Sequence, residues 1–120
     1  MHTEDYGDLR VVFVDPDGPL ISTGGQANDL IGDAWGSEAT VIAVPVERLD
    51  PAFFELRSGL AGEIAQKVVN YRLRLVVVGD TSVYEARSSA LRDWIWESNR
   101  GTQVWFVPDR AALAARLTTP

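Results

Sequence analysis

Short continuous apolar runs alternate along this chain with longer stretches whose apolar positions recur every three or four residues, which is the pattern of strands alternating with helices. Residues 9–14, 41–46, 73–78 and 104–107 are apolar except for Arg10 and Arg74, and mostly β-branched or aromatic. Between them, Ala27, Leu30, Ile31 and Ala34 fall at i, i+3, i+4 and i+7, with Gly36 as a stop. Leu60, Ala61, Ile64, Ala65 and Val68 form a second stripe, and Leu91, Trp94, Ile95 and Ser98 share one face of a third helix that Ser88 or Ser89 can cap. A short alanine-rich helix follows Pro108-Asp109, and Asp50-Pro51 starts another short helical segment.

At the front of the chain, the run 9–14 is followed by Asp15-Pro16-Asp17-Gly18 and then Pro19, Leu20 and Ile21. Proline presets one dihedral and glycine accepts positive φ, so this reads as strand, tight turn and second strand. Residues 1–8 read as a frayed terminus. The run 73–78 is the pattern of an inner strand covered on both faces, and Pro45 ends the ladder of the run before it. Two strands followed by helix, strand, helix, strand, helix, strand and helix require crossover connections. The expected fold is therefore a single α/β domain over residues 1–120: a mixed, mostly parallel sheet of about five strands opening on a hairpin, with about four helices.

Composition narrows the function classes. With 46% hydrophobic and 23% charged residues the chain has the balance of a globular domain, which excludes disorder and collagen-like structure. There is no cysteine, and His2 is the single histidine, so disulfides, a thiolate metal site and a Ser-His-Asp triad are excluded and zinc is not expected. No apolar run approaches the ~20 residues that cross a bilayer, and the polar first ten residues lack a signal-peptide core, so a cytoplasmic location is expected and a membrane is not. The net charge of −6 opposes a nucleic-acid backbone, and Arg72 and Arg74, which flank a strand, read as solvated ends.

Several motifs carry a resemblance. The stretch from Leu60-Ala61-Gly62-Glu63 through Ile64-Ala65-Gln66-Lys67, then Asn70-Tyr71-Arg72, Val78-Gly79-Asp80 and Glu97-Ser98-Asn99-Arg100-Gly101, together resemble the bacterial domain-of-unknown-function family catalogued as 4180. That resemblance covers nearly the whole chain and implies membership, with no assigned activity to transfer. A weaker likeness runs to STAS domains, the fold of anti-sigma factor antagonists, through the opening hairpin, the alternation, and Ser58-Gly59-Leu60 at a helix start after the third strand. In STAS domains a serine in an Asp-Ser-Ser-Gly-type motif is the phosphorylation switch. Here Leu56 and Arg57 precede Ser58, so the preceding Asp and Ser are missing, and the likeness implies a STAS-like fold with Ser58 as the position that matches the switch.

Three sets of residues are candidates for function. Ser58 is either an ordinary helix cap or a phosphosite, since a phosphate there adds nearly two negative charges beside free helix amides and Arg57. Trp96 points away from the Leu91, Trp94, Ile95 face, next to Arg92 and Arg100, and is either an exposed interface anchor or packed by a second layer. Asp15 and Asp17, in Val14-Asp15-Pro16-Asp17-Gly18, resemble the nucleophile motif of haloacid-dehalogenase-type phosphatases, with Asp80 and Glu85 standing for the later acid motif and Lys67 for the phosphate-holding lysine. That likeness implies magnesium and phosphoryl transfer, although Pro19 departs from the motif and Asp-Pro-Asp-Gly is also a turn sequence. Any small ligand is expected at the carboxyl ends of the strands, near Asp15, Glu47, Gly79 and Asp80.

Two functions are therefore expected from the residues. The first is a non-catalytic cytoplasmic regulatory or protein-interaction module of STAS-like type, meeting another protein through Arg57, Ser58, Arg92, Trp96 and Arg100 and needing no cofactor. The alternative is a small magnesium-dependent phosphoryl-transfer enzyme or phosphate-ligand binder using Asp15, Asp17 and Asp80. The Gln66, Lys67, Asn70, Tyr71 set and the Glu97 to Gly101 set read as helix-end networks, with Asn99 or Gly101 as a left-handed cap.

Overall fold

The computed structural model of the protein describes residues 1–118. One five-stranded sheet has the order β1 (His2–Tyr6), β2 (Leu9–Phe13), β3 (Val41–Pro45), β4 (Arg74–Val78) and β5 (Val104–Val107). Strand β1 runs antiparallel to β2, and every later neighbour is parallel. The helices are α1 (Gly24–Gly36), α2 (Leu60–Asn70), a single turn α3 (Ser82–Glu85), α4 (Ser89–Arg100) and α5 (Arg110–Thr118), with 3-10 turns at Val46–Arg48, Pro51–Phe54 and Leu56–Ser58. The expected architecture of a mixed, mostly parallel sheet opening on a hairpin is present.

The hairpin itself lies one strand earlier than the sequence suggested. Residues 1–8 are not a frayed end: His2 pairs with Phe13 and Tyr6 with Leu9 across a two-residue turn in which Gly7 takes φ 62. A first turn residue with positive φ matches the right-handed twist of two flanking strands, and glycine takes it without steric cost. The signal was hidden because His2, Thr3, Glu4 and Asp5 are polar, as suits an exposed edge strand. Residues 19–21 do not pair with β2. Only Ile21 bridges, in parallel, to Leu49.

Because β2 to β5 are laid down in sequence order, right-handed crossovers place every connecting helix on the same face. There α1, α2 and α4 bury Val12, Ile42, Val44, Leu75, Val77 and Phe106. The alternate residues Val11, Phe13, Val41, Ala43, Val76, Trp105 and Val107 face α5. Asp50 accepts from Ala52 N–H, Ser88 from Leu91 N–H and Asp109 from Ala112 N–H, so the three expected start signals are used.

Helices α1 and α2 end in the same way. Ala39 N–H bonds Ala34 C=O and Glu38 N–H bonds Trp35 C=O; Leu73 N–H bonds Val68 C=O and Arg72 N–H bonds Val69 C=O. These are paired Schellman bonds, and the left-handed residue that makes them possible is Glu38 in one helix and Arg72 in the other, both at φ 60. Helix α4 ends differently from the sequence expectation. Gly101 is extended, at φ −96, and neither it nor Asn99 is left-handed. Asn99 instead accepts from Phe106 N–H at 2.7 Å, tying the helix end to β5.

A side chain at positive φ costs on the order of 1 kcal/mol. Replacing Glu38 or Arg72 with glycine is expected to raise stability by about 0.5 kcal/mol each, less than the full strain because glycine also loses entropy on folding. Thermal melts of the two variants and their double, with additive shifts to higher temperature, check this. A decrease in both would mean that the side chains contribute more than their backbone strain costs.

Candidate functional site

The loop after β2 is organised by an arginine. Arg48 donates from Nε to Pro19 C=O at 2.9 Å and from Nη1 to the carbonyls of Asp15 at 2.8 Å and Asp17 at 3.3 Å. Gly18, at φ 145, lies so close that a β-carbon would fall 2.8 Å from the guanidinium carbon. Asp-Pro-Asp-Gly is thus not the turn of a hairpin. It is a wrap around a cation, and the glycine supplies a backbone angle that other residues rarely adopt.

The three aspartates of the phosphoryl-transfer reading do not form a common site. Asp15 meets the Met1 amino group at 2.6 Å, and that hydrogen bond and charge lower its pKa. Asp80 accepts from Ser82 N–H at 2.8 Å, which also lowers its pKa, and so starts α3. Asp17 is exposed and engaged only through its carbonyl. No group of three or more histidine, aspartate or glutamate side chains among the described residues is arranged to hold a metal ion. Glu85 takes the Thr81 hydroxyl at 2.6 Å, and the Lys67 side chain lies over Gly24 at the start of α1.

Ser58 is not the cap of α2; Gly59, left-handed at φ 82, holds that place. The Ser58 hydroxyl still accepts from Leu60 N–H at 3.2 Å and donates to Ala52 C=O at 2.6 Å. It therefore fastens the two 3-10 turns to the first turn of α2 while remaining exposed. Trp96 is 61% exposed, with the Arg100 guanidinium 4.5 Å from its ring centroid, and Arg92 is exposed one turn earlier. Trp94 turns inward onto Phe53 and Phe106. The helical reading of this face thus sorted the two tryptophans as the structure does. Arg72 is exposed as expected of a solvated strand end, but Arg74 is half-buried: it stacks on Trp105 and donates to Thr102 C=O.

Two clefts frame these residues. One, of about 660 Å³, opens at the carboxyl ends of the parallel strands between Phe13, Pro16, Pro45, Val78 and Arg110, with Glu47 and Gly79 also at its wall. Arg110 is not free there, since it covers the Phe13 ring at 4.1 Å and contacts His2 at 3.2 Å. The other, of about 790 Å³, lies between the 3-10 turns, α3 and the start of α4, and is lined by Phe54, Leu56, Arg57, Tyr84 and Arg87. Sequence reading found Arg57 but missed Tyr84 and Arg87, because they come from the α3 region, whose single turn is too short to show a period.

The sequence pattern that defines the domain of unknown function DUF4180 matches residues 6–117. The chain belongs to the DUF4180 family. Nearly the whole DUF4180 domain described above, from the end of β1 to the last turn of α5, lies within that match. No curated protein and no solved structure matches the chain. No helix among the described residues is long and apolar enough to cross a membrane.

Removing the Arg48 guanidinium leaves three loop carbonyls to water. Arg48→Ala is expected to cost about 2 kcal/mol and to speed hydrogen exchange at residues 15–21, with β3 and β4 unchanged. Asp50 offers a pH test. Its pKa is lowered first by the Ala52 amide and then by the Ser22 hydroxyl, so its stabilisation is complete above the ordinary aspartate range and is lost as pH falls through the lowered value. Asp50→Asn should be less stable than the parent at pH 7, and the gap should narrow below about pH 4. Urea midpoints at several pH values measure it, and a constant gap would contradict the assignment.

Proposed function

We propose that this DUF4180 domain is a non-catalytic cytoplasmic regulatory module that binds another protein through the outer face of α4 and the neighbouring Ser58 loop. The observation that carries the reading is the Arg92, Trp96, Arg100 row. These residues stand at i, i+4 and i+8, so they form one line along the helix. A tryptophan largely in water, flanked by guanidinium groups, has the chemistry of an interface anchor: a large apolar area that gains from burial and cations that select an acidic surface around it. Arg57, which shares a cleft with Ser88 and Ala90, extends the cationic character toward the start of the helix.

Ser58 supplies a means of regulation in this reading. Phosphorylation would remove the proton donated to Ala52 C=O and set a doubly charged group beside Arg57, loosening the 3-10 turns. The phosphoryl-transfer alternative needs its carboxylates around one cation, and Asp15 and Asp80 instead have partners of their own.

Affinity capture from native cells with the parent, Trp96→Ala, Arg92→Glu and a control on α1, Asp29→Ala, tests the surface. A protein retained by the parent and Asp29→Ala, and reduced at least tenfold by Trp96→Ala and Arg92→Glu, is the expected outcome. The same set of proteins, or none, from all four baits would refute the α4 face. In parallel, titration with magnesium and phosphate should give no saturable amide shifts centred on Asp15, Asp17 and Asp80. Shifts that saturate there and vanish in Asp15→Asn would favour phosphoryl transfer.

A further inference from the structure

Most arginines of the chain are already engaged. Arg10 is paired with Asp5, Arg48 holds carbonyls, Arg74 and Arg116 enclose Trp105, Arg100 covers Trp96 and Arg110 covers Phe13. The guanidinium groups of Arg57, Arg72, Arg87 and Arg92 have no hydrogen bond, ion pair or ring contact among the described residues. Of these four, Arg57 and Arg87 come from separate segments and line the same 790 Å³ cleft. Both are exposed, so ordering them costs side-chain entropy that a ligand has to offset.

The wall beside them is apolar and fixed. Phe54 is buried and stacks against Tyr84, with centroids 4.2 Å apart and rings 10° from parallel. Leu56 and Pro51 continue that wall. Ala90, in the first turn of the twelve-residue α4, also lines the cleft, and the Ser88 hydroxyl is spent on Leu91 N–H. The start of α4 thus borders the same cleft as the two guanidinium groups. Glu55 is the one acidic side chain among the lining residues, against two arginines. The volume lies within the range of small-molecule sites, which combine an apolar wall with a few convergent polar groups.

We infer that this cleft binds a small organic anion: a planar or aliphatic body laid on Tyr84, Leu56 and Pro51, with its carboxylate or phosphate monoester held between Arg57 and Arg87. Two guanidinium forks are suited to either oxyanion. The site goes beyond the protein-interaction reading and is tested with different residues. A ligand there would bridge the Arg57 loop and the start of α4.

The test is an amide-resolved NMR titration of the full chain at fixed ionic strength with phenyl phosphate and with benzoate, using inorganic phosphate and benzyl alcohol as controls. The expected result is saturable shifts at residues 54–58 and 84–91 with at least one of the two organic anions, weakened tenfold or more in Arg57→Gln/Arg87→Gln. Both substitutions are at exposed positions, and an unchanged melting temperature confirms that the double variant is folded. Binding of phenyl phosphate alone identifies a phosphate monoester site, and binding of benzoate alone a carboxylate site. The inference is overturned if neither anion gives saturable shifts, if the double variant binds equally well, or if inorganic phosphate or benzyl alcohol binds as tightly as the organic anions. Capture through Trp96 is scored separately, so loss of the cleft hypothesis leaves the α4 surface standing, and the reverse.

Discussion

Burial of β3 and β4 on both faces is the constraint from which the rest of the structure follows. Val41, Ile42, Ala43 and Val44, with Leu75, Val76 and Val77, are all within about 1% of complete burial. Removing each valine, leucine or isoleucine side chain from water is favourable by about 2 kcal/mol, which exceeds any intrinsic strand preference of those residues. Strands with no polar face must be covered twice. Three crossover helices supply one cover and α5 the other, and the sheet order leaves little freedom in where the loops emerge. The clefts and the exposed face of α4 are consequences of that layering, since α4 can bury only the side that meets β5 and Phe53.

Elements governed by apolar period were legible in the sequence. The inner strands, the stripes of α1, α2 and α4, and the caps at Asp50, Ser88 and Asp109 depend on residues close together in the chain. The pairing of β1 was not legible, because an edge strand exposed to water carries no alternation strong enough to separate it from a loose terminus. The wrap at residues 15–19 was misread for a related reason. Proline and glycine announce a change of direction, but what the loop encloses is Arg48, about thirty positions later, and nothing local signals that pairing.

The candidate site divides along the same line. Trp96 could be assigned outward and Trp94 inward from helical spacing alone, and Arg57 and Ser58 were visible as a helix approach. The assembly of Arg57 with Arg87 and Tyr84 was not visible, since it depends on how the chain returns from β4 through α3. The aspartate set shows the opposite failure. Asp15, Asp17 and Asp80 sit at strand ends, as an acidic phosphate site would require, but position at the strand ends does not bring side chains together. Each is drawn to a nearer partner or left in water.

Asn99 has a consequence for how the domain meets its surroundings. Parallel pairing with β4 uses the backbone groups of alternate β5 residues, and Phe106 N–H belongs to the set that faces outward. By accepting that proton, the Asn99 amide occupies the lateral seam of the sheet with a side chain of the preceding helix. At the opposite seam, β1 presents Glu4 and Asp5. An incoming extended peptide would have to displace a satisfied amide on one side and approach two carboxylates on the other. Growth by strand addition is thereby discouraged at both margins, one closed by a side-chain amide and the other guarded by like charges.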